Sequence, residues 1–146
     1  MKSFAGTLSA ERPPFFEDAL KTSKGKLFLE VDFKSSAKTD EVLRLIRKYD
    51  MANQVVLIAY TTERARELHA LAPEMLISAP GEDKGEGIAA DKTLLWMGRN
   101  IDQVTDPTNT VGYIGLVSRE DSIDAKAKKA VFLVSDWSTE LPPIVG

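Results

Sequence analysis

The stretch Lys26-Leu27-Phe28-Leu29-Glu30-Val31-Asp32-Phe33-Lys34 is an apolar run that ends in an alternation of acid and base. On a β-strand, residues two apart leave the same face. Asp32 and Lys34 would therefore stand side by side at the end of the strand. A carboxylate suits a hard divalent cation, and an ammonium suits a phosphate as a point charge. The spacing is equally that of a surface ion pair, which contributes little to stability. A second acid at the end of an apolar run is Asp136, after Val131-Phe132-Leu133-Val134-Ser135. It can bind a metal or cap a turn. Gly81-Glu82-Asp83-Lys84-Gly85-Glu86-Gly87 has glycines at intervals but lacks phosphate-loop spacing and carries three acids, so it reads as a solvated loop.

The elements that must position these groups are those of one ordinary domain. The chain has 146 residues, 43% hydrophobic and 28% charged, which suffices for a single buried core. No apolar run approaches the roughly 18 residues of a membrane span, and the first residues lack the apolar core of a signal peptide. With no cysteine there is no disulfide, thiolate metal site or cysteine nucleophile. These features suit a cytosolic setting. A net charge of −3, with no basic stretch longer than Lys126-Ala127-Lys128-Lys129, argues against a nucleic-acid partner.

The first twelve residues show no period. Arg12-Pro13-Pro14-Phe15-Phe16-Glu17-Asp18-Ala19-Leu20 reads as a short helix: proline is tolerated in a first turn, and the acids suit a helix N-terminus. Phe15, Phe16, Ala19 and Leu20 form its apolar side, and Lys24-Gly25-Lys26 stops it. The strand at Leu27 to Lys34 follows, apolar enough for burial on both faces. Thr39 is an N-cap for a helix to about Tyr49, with Val42, Leu45, Ile46 and Tyr49 as its stripe. Gln54 to Tyr60 is a second buried strand. Thr61-Thr62 opens another helix, with Ala65, Leu68 and Ala72 on one side and Pro73 closing it. Met75 to Ala79 is a third strand. Strands alternating with helices are the mark of βαβ units and a parallel sheet.

Further on, Thr93 to Met97 reads as a strand, with a helix start at Asp91 as the alternative. A polar connection carries Asp106-Pro107. Val111 to Val117 is strand-like, Ser122 to Ala130 a short helix, and Val131 to Asp136 a last buried strand. The total is six strand candidates, with no repeat and no linker.

The order of these pieces resembles the glycerophosphodiester phosphodiesterase family. The helix Arg12 to Leu20 looks like that family's segment before its strand motif. Leu29-Glu30-Val31-Asp32-Phe33-Lys34 is similar to the motif itself, hydrophobic-acid-hydrophobic-Lys. Val55 to Tyr60, with Arg64-Ala65-Arg66-Glu67-Leu68 and Ala72-Pro73, is similar to the next strand and helix. Val131 to Trp137 looks like the closing strand. The resemblance covers most of the chain from Arg12 onward, and is best between Arg12 and Ala79.

It implies a TIM barrel that hydrolyses glycerophosphodiesters with a divalent metal (Ca²⁺ or Mg²⁺) and a pair of histidines. By the resemblance, Asp32 is a metal ligand, one methylene shorter than the family's commoner Glu, and Lys34 faces the substrate phosphate. Glu30, Tyr60, Trp96 and Asp136 are further pocket residues, and Trp96 or Trp137 could line a glycerol site or simply pack. The family's His-Arg-Gly opening, Glu-x-Asp strand and second His-Asp strand have no counterpart here, and would lie before Met1. A complete barrel has eight strands in about 250 residues. The expected fold is thus α/β, an incomplete barrel with a partial parallel sheet and flanking helices. No catalytic residue is assigned, because the only histidine, His69, falls on a helix, whereas barrel sites sit at strand C-termini. Two functions remain open. One is a truncated phosphodiesterase, inactive alone, completed by an N-terminal half. The other is a non-catalytic remnant that binds a partner or a second copy of itself along an open sheet edge.

Overall fold

The computed structural model describes residues 12–34, 37–80, 84–97, 108–116 and 118–135. Their strands are β1 (Leu29–Asp32), β2 (Val55–Ile58), β3 (Leu76–Ser78), β4 (Thr93–Met97), β5 (Thr110–Ile114) and β6 (Phe132–Val134). Among them lie α1 (Phe16–Ser23), α2 (Thr39–Lys48), α3 (Thr62–Leu71) and α4 (Arg119–Ala127). All six strands pair in parallel in the order β1-β2-β3-β4-β5-β6. The sheet curls into part of a barrel, as expected.

Alternation along the strands separates two faces. Val31, Val55, Leu57, Ala59 and Ile77 point outward and pack with Leu20, Leu43, Ile46, Ala65 and Leu68 in one buried cluster. Val111, Tyr113 and Leu116 pack with Ala125 of α4 in a second. The intervening residues face the concave side: Glu30 and Asp32, Val56 and Ile58, Leu76 and Ser78, Leu94 and Trp96. Register aligns them as Asp32 with Ile58, Ile58 with Ser78, and Ser78 with Leu94.

Several sequence expectations need correcting. The first strand is shorter than Leu27 to Lys34, and it is not buried on both faces: Leu27, Phe28 and Glu30 are exposed. The reason is topological, since among the described strands β1 is an edge with a neighbour on one side only. The last strand, β6, is likewise an edge and is half-buried rather than buried. Phe15 stands 81% exposed, because it precedes the first turn of α1 instead of lying on its packed side. In α2 the buried residues are Leu43 and Ile46, with Val42, Leu45 and Tyr49 flanking them. Thr39 is the first helical residue of α2 and not its cap. The fourth helix begins at Arg119, three residues before Ser122. Ser118 and Asp121 form a capping box there, each side chain closing on the other's backbone N–H. Among the described residues between β3 and β4 are turns and the 3₁₀ turn Ala90–Lys92, the site of the alternative helix start.

Candidate functional site

Asp32 is the last residue of β1, and Lys34 follows two residues later. The two form the ion pair that their spacing predicts: Lys34 Nζ donates to Asp32 Oδ2. Lys34 is 77% exposed and Asp32 28%, so the pair sits at the rim of the concave face with the ammonium outward. Its hydrogen bond to Asp32, and the carboxylate's charge, hold the Lys34 ammonium above its ordinary range. The Tyr60 phenol, 73% exposed just after β2, lies within electrostatic reach of that ammonium. The C-terminal ends of β1 and β2 therefore bring Asp32, Lys34 and Tyr60 together.

Asp32 Oδ1 is buried and has no hydrogen-bond partner among the described residues. A buried acceptor left unpaired costs about 1–3 kcal/mol, and a donor or cation on the concave side would relieve it. The carboxylate thus splits its work, one oxygen toward Lys34 and one toward the interior. As a metal centre the arrangement falls short. Among the described residues no three His, Cys, Asp or Glu side chains converge. Ca²⁺ wants about six to eight oxygen ligands and Mg²⁺ an octahedron. One carboxylate oxygen beside an ammonium does not by itself fit either ion.

Trp96 lies further along the curl. Its Nε1 donates to Ser78 Oγ at 2.6 Å, and its ring rests on the backbone of Gly112 in the next strand. A Cβ added at Gly112 would come within 2.4 Å of Trp96 Cε3. Trp96 is half-buried and packed, yet it still lines the concave face. Glu30 lies on that face too, exposed beside Val56 of β2. Asp136 and Trp137 lie outside the described residues.

His69 is placed as expected for a partly buried helix histidine. It sits in the last turn of α3, and its Nε2 accepts the Ala89 N–H at 3.3 Å. This ties α3 to the β3–β4 crossover, away from the strand ends that hold Asp32 and Lys34.

Three residues that matter locally escaped the sequence reading. Ser78 is the one polar residue in Met75-Leu76-Ile77-Ser78-Ala79, and Gly112 interrupts an apolar strand; both signals were present. Arg64 had no such signal, because an arginine in a first helical turn is unremarkable by type.

No family model and no curated protein matches the sequence. Solved structures do match by fold. A glycerophosphoryl diester phosphodiesterase from Parabacteroides distasonis aligns with 97% of this chain at a TM-score of 0.63 and 16% identity. A second glycerophosphodiester phosphodiesterase from that organism aligns with 85% at 0.63 and 17% identity. A Galdieria sulphuraria protein described in the same terms aligns with 84% at 0.59 and 19% identity. The chain spans 61%, 60% and 59% of the length of these structures, respectively. No helix among the described residues is long and apolar enough to cross a membrane. Over most of its own length, the chain has the fold of part of a glycerophosphodiester phosphodiesterase.

Proposed function

We propose that this chain carries the phosphate-recognising side of a glycerophosphodiester-hydrolysing site. The observation that supports this is the Asp32–Lys34 pair at the C-terminal end of a parallel α/β sheet, where barrel enzymes bind their substrates. Lys34 offers an exposed ammonium for a phosphodiester oxygen, and Asp32 keeps that ammonium at the rim. Tyr60 offers a hydroxyl alongside. A divalent metal, where one takes part, would use Asp32 Oδ1 as one ligand among several.

Hydrolysis also needs a placed acid and base, which contribute about 10² to 10⁴ in rate. The described residues near Lys34 supply no imidazole, and in this reading further residues provide these groups. Inorganic phosphate and glycerol 3-phosphate are the probes, read by the side-chain NMR signal of Lys34. Saturable binding that is lost in Lys34→Gln is expected, with no turnover of glycerophosphocholine by this chain alone, with or without Ca²⁺ or Mg²⁺. Binding unaffected by Lys34→Gln would refute the phosphate site. Metal-dependent turnover that Asp32→Ala abolishes would refute the need for further residues.

A second reading rests on the sheet edges. β1 and β6 each pair on one side only among the described strands, and Leu27, Phe28 and Val131 beside them are exposed. In this reading the chain is a binding module that joins a second copy or a complementing segment there.

A further inference from the structure

Arg64 touches the chain both before and after Lys34, at Phe33 and at Thr39. Its guanidinium carbon lies 5.2 Å from the centre of the Phe33 ring, the residue before Lys34. Its Nη2 donates to Thr39 Oγ1 at 2.7 Å, at the first residue of α2. Its Nη1 pairs with Glu67 Oε2 at 2.7 Å, one turn along α3. Its backbone N–H is held by the Thr61 cap. Between these points, Ala37 N–H donates to Lys34 O at 2.8 Å.

The guanidinium thus has three partners in three directions: one flat face toward Phe33, one edge to Thr39, another to Glu67. A planar fork can hold three such directions at once, and a lysine ammonium cannot stack as it does so. This side chain is only 28% exposed, so its contacts are poorly screened compared with those of the outer surface.

We infer that Arg64 is a positioning residue that fixes the backbone around Lys34, and so fixes the ammonium against Asp32 at the phosphate-recognising rim. The inference rests on the phosphate-binding reading above. Arg64 itself contacts neither Asp32 nor Lys34 in the hydrogen bonds and ion pairs of the site; it acts through Phe33 and Thr39.

The test is Arg64→Gln and Arg64→Lys in the full chain, read by inorganic phosphate affinity and by the nuclear Overhauser contact between the Lys34 and Asp32 side chains. A lysine keeps the charge but not the planar fork, so the two variants together separate positioning from charge. The expected result is phosphate binding weakened about tenfold in both variants, with the Lys34–Asp32 contact weakened and the far-ultraviolet circular dichroism unchanged. Wild-type phosphate affinity restored by Arg64→Lys, or an unchanged Lys34–Asp32 contact in the folded Arg64→Gln variant, overturns the inference. If Arg64→Gln does not fold, Phe33→Leu removes the ring under the guanidinium while keeping the position apolar, and the same readouts decide. If the wild-type chain does not bind phosphate, the site reading fails separately, and the Lys34–Asp32 contact then decides the role of Arg64 alone.

Discussion

The ring of Phe28, one residue ahead of β1, meets the ring of Phe132, the first residue of β6, edge to face with centres 5.5 Å apart. The first and last strands therefore approach across the concave side, although they do not pair with each other. Phe28, Val55, Leu76, Thr110 and Phe132 line one cleft at the N-terminal ends of the strands. The curl is therefore that of a barrel wall, and the two rings help to close its floor. An aromatic pair of this geometry contributes about 0.5–1.5 kcal/mol beyond its buried area. A double-mutant cycle on Phe28→Leu and Phe132→Leu, read by urea denaturation, should give a coupling energy in that range. Strict additivity would mean that the rings only neighbour each other.

Gly112 is a packing requirement of Trp96. A methyl group there would overlap the indole at 2.4 Å, and the indole cannot swing away without losing its bond to Ser78 Oγ. Gly112→Ala should cost about 1–3 kcal/mol, the usual range for overpacking. It should also alter the fluorescence of Trp96, tracked in a Trp137→Phe background. Wild-type stability with an unchanged spectrum would show that the strands part easily at this point.

Glu17 ties α1 to α2. It accepts from Lys48 Nζ at 2.7 Å and from the Tyr49 hydroxyl. The Lys48 bond first, then the Tyr49 bond, lowers its pKa from 4.5 to about 2. A carboxyl depressed in the folded state contributes stability above its unfolded value, and that contribution is lost as pH falls through the folded value. Wild type should therefore exceed Glu17→Gln in stability above pH 4.5, with the difference closing toward pH 2. Denaturation midpoints of the two proteins across that window test this. A gap that persists at pH 2 would assign the contact to packing.

How much of this could be read from residues alone differs by element. The α/β class was legible because Val55 to Ile58, Leu76 to Ser78 and Thr93 to Met97 are apolar and alternate with amphipathic segments. The Asp32–Lys34 pair was legible because a period of two is a local property. Burial of β1 was not, because it depends on which strand stands beside it, and edge position is set by the whole topology. The start of α4 was missed for a different reason. Its first turn, Arg119-Glu120-Asp121, carries no apolar residue, so the capping signal at Ser118 came before any hydrophobic period. Arg64 was invisible in its role because Phe33 and Thr39 are distant in sequence and meet it only through the fold.

Asp32 is expected to be a weak cation ligand in this chain. Its Oδ2 is occupied by Lys34, which repels a divalent ion, and Oδ1 alone is left without a partner among the described residues. Sites poor in ligands and charge bind Ca²⁺ with dissociation constants of about 10⁻⁴ to 10⁻³ M, and this one should be no tighter. Calorimetric titration with CaCl₂ and MgCl₂ measures it directly. Micromolar binding that Asp32→Asn removes would reveal further ligands, with Glu30 and Asp136 the first to test.

The open edges make the last prediction. β1 pairs with β2 alone and β6 with β5 alone among the described strands, so each has one row of backbone groups without a strand partner. Such edges template pairing unless charge, proline or a cover blocks them. Glu30 and Asp32 are the two charges on β1, and both point to the concave side, not along the edge. Leu27 at 59%, Phe28 at 57% and Val131 at 69% exposure add apolar surface beside the two edges. Association through this seam should therefore appear as concentration-dependent sedimentation of the purified chain. Leu27→Lys with Val131→Lys should shift it toward the monomer without unfolding it, since both side chains already face solvent. A chain that stays monomeric at every concentration, and is unaffected by the two lysines, would mean that the edges are covered from within.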